Sequence, residues 1–266
     1  MIRDITIGRY YDSESVIHRM DPRTKLSIVG LAMVAIFLLD SPFELFAAGV
    51  AAFLLGVMAN LKAGFMLRGL RFVWLFAFFS LIFNMFLVPG ETICSWGSWH
   101  ITYEGLERGT AMGLRLLLLV LLTSLLSLTT SPILLTDGME KLLSPWRRFG
   151  IPAHELAMVS TIALRFVPTL AQETETIVKV QLARGAALDR GNIMQRLRSI
   201  MPIMIPLFVS AFRHAEDLAW AMEARCYRGG QGRTRLRELN FGSNDVVAII
   251  AVIIFFILLK ALEFVL

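Results

Sequence analysis

The chain has little of what chemistry on a small molecule usually requires. Its 266 residues include two cysteines, Cys94 and Cys226, and four histidines, His18, His100, His154 and His214. Neither cysteine has a ligand-like neighbour at zinc spacing, and the two fall in segments expected on opposite sides of a membrane, so neither a disulfide nor a zinc site is implied. The histidines are scattered, and His154-Glu155 lacks the second histidine of a zinc-binding helix. No Gly-rich loop ends in Lys-Ser/Thr to cradle phosphate, and no Gly-x-Ser-x-Gly elbow occurs. No catalytic residue, metal site or cofactor of its own is therefore expected. Charge is scarce as well: 18% charged against 56% hydrophobic residues, with a mean hydropathy of +0.65. These values exclude an ordinary soluble domain and indicate a polytopic membrane protein. The net charge of +5 does not point to nucleic acid, because in such a chain surplus Lys and Arg gather at cytoplasmic ends of spans. The first 25 residues hold no short apolar run with a small-residue cleavage site, so the first span itself is expected to direct insertion.

What is present is a series of apolar runs separated by loops of contrasting charge. Residues 1–25 carry Arg3, Arg9, Arg19, Arg23 and Lys25, which favours a cytoplasmic N-terminus. Asp21-Pro22 reads as a helix start: the carboxylate accepts orphan backbone N–H groups, and proline lacks one. Residues 26–39 with their flanks make a first span. Asp40-Ser41-Pro42-Phe43-Glu44 is an acidic external turn that starts a second helix, 45–61. There Ala48, Ala52 and Gly56 share one i, i+4 row suited to close helix packing, either within the chain or against another membrane subunit. Lys62, Arg68 and Arg71 mark a cytoplasmic connection. The third span, Phe72 to Val88, leads into an external loop at 89–104, where Trp96, Trp99 and Tyr103 suit the lipid–water interface. The fourth includes Leu116 to Leu128, preceded by Arg115, which either snorkels to the membrane edge or has a function within it.

From 131 to 243 the character changes to 15 Lys or Arg and 10 Asp or Glu, with no uncharged stretch long enough to cross lipid. This region is expected to be cytoplasmic. A short amphipathic helix over 137–149, a long one over 154–186, a turn at Asp189-Arg190-Gly191-Asn192 and a second long helix over 193–228 follow from the periodicity and the breakers. Pro168, Pro202 and Pro206 imply bends. Gly229-Gly230-Gln231-Gly232 ends that helix, and a fifth span, Val246 to Leu259 with its flanks, puts the C-terminus outside. The expected fold is all-α, with about five transmembrane helices. Its regions are 1–130 with four of them, the cytoplasmic 131–243, and a last span at 244–266.

The distinctive feature is a near-repeat, Ala183-Arg184-Gly185 and Ala224-Arg225-Cys226, 41 residues apart. Arginine offers a planar fork of donors suited to carboxylates, and small neighbours let a partner's backbone close in. Two such tripeptides at the ends of two long helices fit a plug with two sockets. Alternatively, both arginines satisfy helix C-terminal carbonyls.

The N-terminal Gly8-Arg9-Tyr10 and Ser15 to Leu26, the stretch Leu164-Arg165-Phe166-Val167-Pro168-Thr169-Leu170 with Ala183-Arg184-Gly185, and Ala221 to Gly229 together resemble the transmembrane T component of energy-coupling factor transporters. Cys226 departs from the Gly or Ser common there. The resemblance implies a scaffold subunit of an importer for vitamins or other micronutrients in a prokaryotic plasma membrane. Long crossed cytoplasmic coupling helices would carry Arg184 into one ATP-binding-cassette ATPase and Arg225 into a second. A substrate-binding S component would pack on the membrane face, with Ala48, Ala52, Gly56, Pro168, Pro202 and Pro206 as contacts with it or between helices. ATP and Mg would be bound by the ATPases and not by this chain. Two other readings are a membrane enzyme gathering Arg165, His154, Glu155 and His214 at the cytoplasmic lipid face, and a conventional permease domain with its own substrate path.

Overall fold

The computed structural model describes residues 10–11, 13, 15–96, 99–149, 152–186, 193–229 and 241–265. In chain order the helices are α1 (Val16–Arg19), α2 (Pro22–Phe37), α3 (Pro42–Met58), α4 (Ala63–Leu87), α5 (Tyr103–Thr129), α6 (Pro132–Leu143), α7 (Ala153–Ala183), α8 (Ile193–Ala224) and α9 (Ser243–Val265), with a 3-10 turn at Ser144–Phe149. The chain divides into two compact units, one made of Gly8–Leu142 with Arg237–Leu266 and the other containing Leu143–Leu236. The architecture is all-α, and the chain is a polytopic membrane protein.

Helix starts follow local chemistry. Asp21 accepts the Arg23 N–H ahead of Pro22, and Ser41 with Glu44 closes a reciprocal capping box ahead of Pro42. Three stretches are long and apolar enough to cross a membrane, Gly69–Leu87, Tyr103–Thr129 and Ser243–Leu262. The other two expected spans are shorter: α2 has 16 residues and α3 has 17. At 1.5 Å per residue they rise about 24–26 Å, below the ~30 Å hydrocarbon core.

The first unit is organised on α5, which packs against α2, α3 and α4. Along the contact with α4 lies a row of glycines, Gly105, Gly109 and Gly113. A methyl on Gly105 would lie 2.6 Å from the Asn84 carbonyl oxygen and 3.0 Å from Met85 Cα. On Gly109 it would lie 3.0 Å from the Leu81 carbonyl and 3.1 Å from Leu81 Cα. A Cβ at Gly105 would force the α4 backbone to shift, one at Gly109 would need it to give by a few tenths of an ångström, and one at Gly113, 3.5 Å from Ala77, would make ordinary contact. The close approach therefore rests on the first two glycines. Gly109→Val is therefore expected to lower stability by about 1–3 kcal/mol in thermal unfolding of the detergent-purified protein. Gly30→Ala, inside α2 and facing open space, should not lower the midpoint, since alanine is the better helix former.

On α3 the row Ala48, Ala52 and Gly56 is buried inside the chain. Ala52 packs with Met66, Leu121 and Leu125, and Ala48 with Leu45, Ala111 and Leu118. A methyl on Gly56 would run into the end of the Met66 side chain and meet Leu125 Cδ2 at 3.0 Å. The connection between α4 and α5, read as a loop, forms a hairpin of β1 (Thr92–Trp96) and β2 (Trp99–Thr102), with Thr92 opposite Thr102 and Trp96 opposite Trp99. It is tied down where Thr102 Oγ1 donates to the Val88 carbonyl at 2.7 Å and accepts from Gly105 N–H at 3.2 Å. Arg115 donates to the Leu39 carbonyl just past α2 and lies over the Phe37 ring at 5.8 Å.

A buried polar cluster joins the starts of α2 and α9 to the end of α5. Lys25 Nζ donates to the carbonyls of His18 (3.1 Å) and Thr129 (3.0 Å). Asp245 accepts the Asp21 N–H at 3.1 Å and the Gly242 N–H at 2.9 Å. Asp21, Lys25 and Asp245 are all buried.

Candidate docking site

In the second unit α7 and α8 lie antiparallel. The pairing is fixed at four levels: Gln181 Nε2 donates to the Pro202 carbonyl at 3.2 Å, Ser210 Oγ donates to Glu173 Oε2 at 2.7 Å, Phe166 stacks on His214 at 5.8 Å, and Tyr227 reaches His154 and Met158. The prolines Pro168, Pro202 and Pro206 are exposed and lie inside the helices. Pro206 has no N–H to offer the Pro202 carbonyl four residues back, and Gln181 from α7 supplies the missing donor. The carbonyl that Pro206 leaves unserved is thus used to join the two helices.

His214 Nε2 meets Glu173 Oε1 at 2.6 Å. Hydrogen bonds from His214 and then Ser210 hold the Glu173 carboxyl below its usual range. A carboxylate whose folded pKa is depressed contributes stability that is complete above the unfolded value and lost as pH falls through the folded one. Acid melting of the protein below about pH 4.5 should therefore be less steep in Glu173→Gln, and identical melting curves would remove Glu173 from the account. His154 and His214 are separated along α7 by about 18 Å, twelve residues from His154 to the Phe166 level, and Glu155 and Arg165 are exposed. The four residues of the enzyme reading are not brought together.

The two tripeptides adopt the same backbone. At the end of α7, Arg184 is the C-cap and Gly185 follows with φ +84°; Gly185 N–H donates to the Leu182 carbonyl at 3.0 Å and Ala186 N–H to Gln181 at 3.0 Å. At the end of α8, Arg225 holds the cap position and Cys226 follows with φ +56°; Cys226 N–H donates to Glu223 at 2.8 Å and Tyr227 N–H to Met222 at 3.0 Å. Both are Schellman closures, with one residue in the left-handed region and the 5→2 and 6→1 bonds in place. Backbone groups thus serve these terminal carbonyls, and the guanidiniums are not needed there. All six residues, Ala183, Arg184, Gly185, Ala224, Arg225 and Cys226, are exposed. Neither arginine side chain has a hydrogen-bond or ion-pair partner among the described residues.

Because the helices are antiparallel, Arg225 sits beside the start of α7 and Arg184 at its far end. With 31 residues in α7, the two fork-bearing turns are roughly 40 Å apart. Between them, α8 exposes Ile200, Met201, Ile205, Phe208 and Phe212. The turn expected at 189–192 and the glycine run from Gly230 lie outside the described residues.

A family model described as cobalt transport protein, CbiQ, matches residues 13–236. Among similar proteins, the energy-coupling factor transporter transmembrane protein EcfT of Thermosediminibacter oceani is 50% identical over 250 residues, 94% of each chain. The proteins of that name from Acidaminococcus fermentans and Ruminiclostridium cellulolyticum are 48% and 45% identical over 264 and 265 residues, at least 98% of each chain. The chain belongs to the CbiQ family. Its CbiQ match takes in both arginine tripeptides and every helix from α1 to α8. The relatives are named as transporter transmembrane proteins, not as enzymes. Among the described residues of this CbiQ-family chain no group of three or more His, Cys, Asp or Glu could hold a metal ion.

Proposed function

We propose that this chain is the scaffold and coupling subunit of an energy-coupling-factor type importer, carrying the motion of two ATPase subunits to a substrate-binding S component for uptake of vitamins or other micronutrients. Arg184 docks in one ATPase and Arg225 in the other. The observation that carries this reading is the pair of exposed guanidiniums, without a partner among the described residues, on identically closed turns at opposite ends of one helix pair. A bidentate guanidinium–carboxylate contact is short, directional and strong once water is excluded. Two equivalent turns fit two equivalent partner sites. ATP and Mg belong to the ATPases.

The exposed apolar residues of α8, with Pro202 and Pro206 on the same helix, are the surface assigned to the S component and the lipid boundary. The charged region 131–243 is placed in the cytoplasm of a prokaryotic cell, with the N-terminus on that side and the C-terminus outside, following the distribution of Lys and Arg. The chain as a whole sits in the plasma membrane. Copurification from native membranes, with the bound proteins identified by mass spectrometry, tests all of this together. Two ATPase chains and a small apolar membrane protein are the expected companions. Recovery of the chain alone, or with a soluble substrate-binding protein in place of the S component, would overturn it.

A further inference from the structure

The two arginine turns share a backbone but differ in what holds it. Gly185 takes φ +84° and Cys226 takes φ +56°. Glycine enters this region without penalty, whereas a Cβ is crowded by the following carbonyl oxygen. The Arg225 turn therefore needs support that the Arg184 turn does not, and the residue after Cys226 is placed to give it. The Tyr227 hydroxyl donates to Met158 Sδ at 3.0 Å and lies 3.3 Å from His154 Nε2, while its backbone N–H closes the turn on Met222. One residue thus completes the cap with its main chain and fastens it to α7 with its side chain. The equivalent residue after Gly185 is Ala186, whose methyl can make no such bond.

We propose that Tyr227 is a positioning residue for Arg225: it clamps the cysteine-bearing turn to the start of α7 through His154 and Met158, so that this guanidinium is held ready for its partner, whereas the Arg184 turn has glycine at its left-handed position and no strain to offset. The proposal rests on the docking reading for its consequence, but the clamp is measurable without any partner. In the full chain in lipid nanodiscs, amide hydrogen exchange across 222–229 is expected to quicken about tenfold in Tyr227→Phe, with 181–186 unaltered. Adding Cys226→Gly to Tyr227→Phe should restore most of the protection, because the turn no longer needs outside support. A tyrosine that served only general packing would not be rescued by removing a Cβ from its neighbour. Unchanged exchange in Tyr227→Phe, equal quickening at both turns, or no rescue by glycine each overturns the clamp.

A second arm uses the Arg184→Ala background, in which capture of ATPase depends on Arg225. There Tyr227→Phe should weaken capture several-fold and Cys226→Gly should recover it. Exchange that changes as expected with capture unaffected would overturn the positioning role. If chains with both arginines intact capture no ATPase, the docking reading fails, and the exchange data still decide whether the clamp exists.

Discussion

Replacing both Arg184 and Arg225 by alanine is expected to abolish ATP-driven uptake while leaving the protein inserted and folded. The two halves of that expectation have separate physical grounds. Folding is spared because both side chains are exposed and bond to nothing in the described structure, and because backbone N–H groups already close both turns. Coupling is lost because truncating one partner of a desolvated charge pair costs about 2–5 kcal/mol, or roughly 30-fold to a few thousand-fold in affinity at each site. Either single change should weaken transport and ATPase capture, and the pair should act together. Lysine at either position should recover only part of the loss, since it keeps the charge without the planar fork. Counter-flow or uptake assays in proteoliposomes of the assembled transporter give the readout, with monodispersity on size exclusion as the folding control. Undiminished ATP-driven uptake by the double variant would end the docking proposal.

The second large effect belongs to the membrane unit. Lys25→Met should destabilise the protein by about 3–5 kcal/mol, the usual cost of removing one member of a buried charged set. Its ammonium bonds two backbone carbonyls from different helices and lies within Coulombic reach of Asp245 and Asp21. Methionine fills similar space and supplies no donor, so the His18 and Thr129 carbonyls and the two carboxylates are left without it. Asp245→Asn should cost distinctly less, because an amide oxygen can still accept the Asp21 N–H. Thermal or denaturant unfolding in detergent ranks the two. A Lys25→Met protein as stable as the parent, or less affected than Asp245→Asn, would show that the cluster does not hold α2, α5 and α9 together.

How much of this was legible in the residues depended on how local the cause was. Asp21-Pro22 and Ser41-Pro42 announce their helices because an N-cap is settled within four residues. The arginine tripeptides stand out by repetition, but that Cys226 matches Gly185 in conformation could not be read, since cysteine disfavours positive φ. The row Gly105, Gly109, Gly113 is plain in the sequence yet falls outside the fourth span that the leucine run marks. Glu104, Glu107 and Arg108 make that stretch look like a membrane edge, and α5 continues through it because α4 runs alongside. The meeting of Lys25 with Asp245, some 220 positions along the chain, is a tertiary event. From sequence Lys25 reads only as a charge that keeps the N-terminus inside.

The opposed course of α7 and α8 also limits how force can pass through them. A stiff rod gripped at both ends and turned about its middle sends one end up as the other goes down. On the docking proposal, two bodies holding Arg184 and Arg225 that approach each other must therefore tilt, twist or flex the rod, and cannot simply shift it sideways. Any flexing falls first at Pro168 and Pro202, where the helical ladder lacks a rung, since Gln181 serves the carbonyl that Pro206 leaves free.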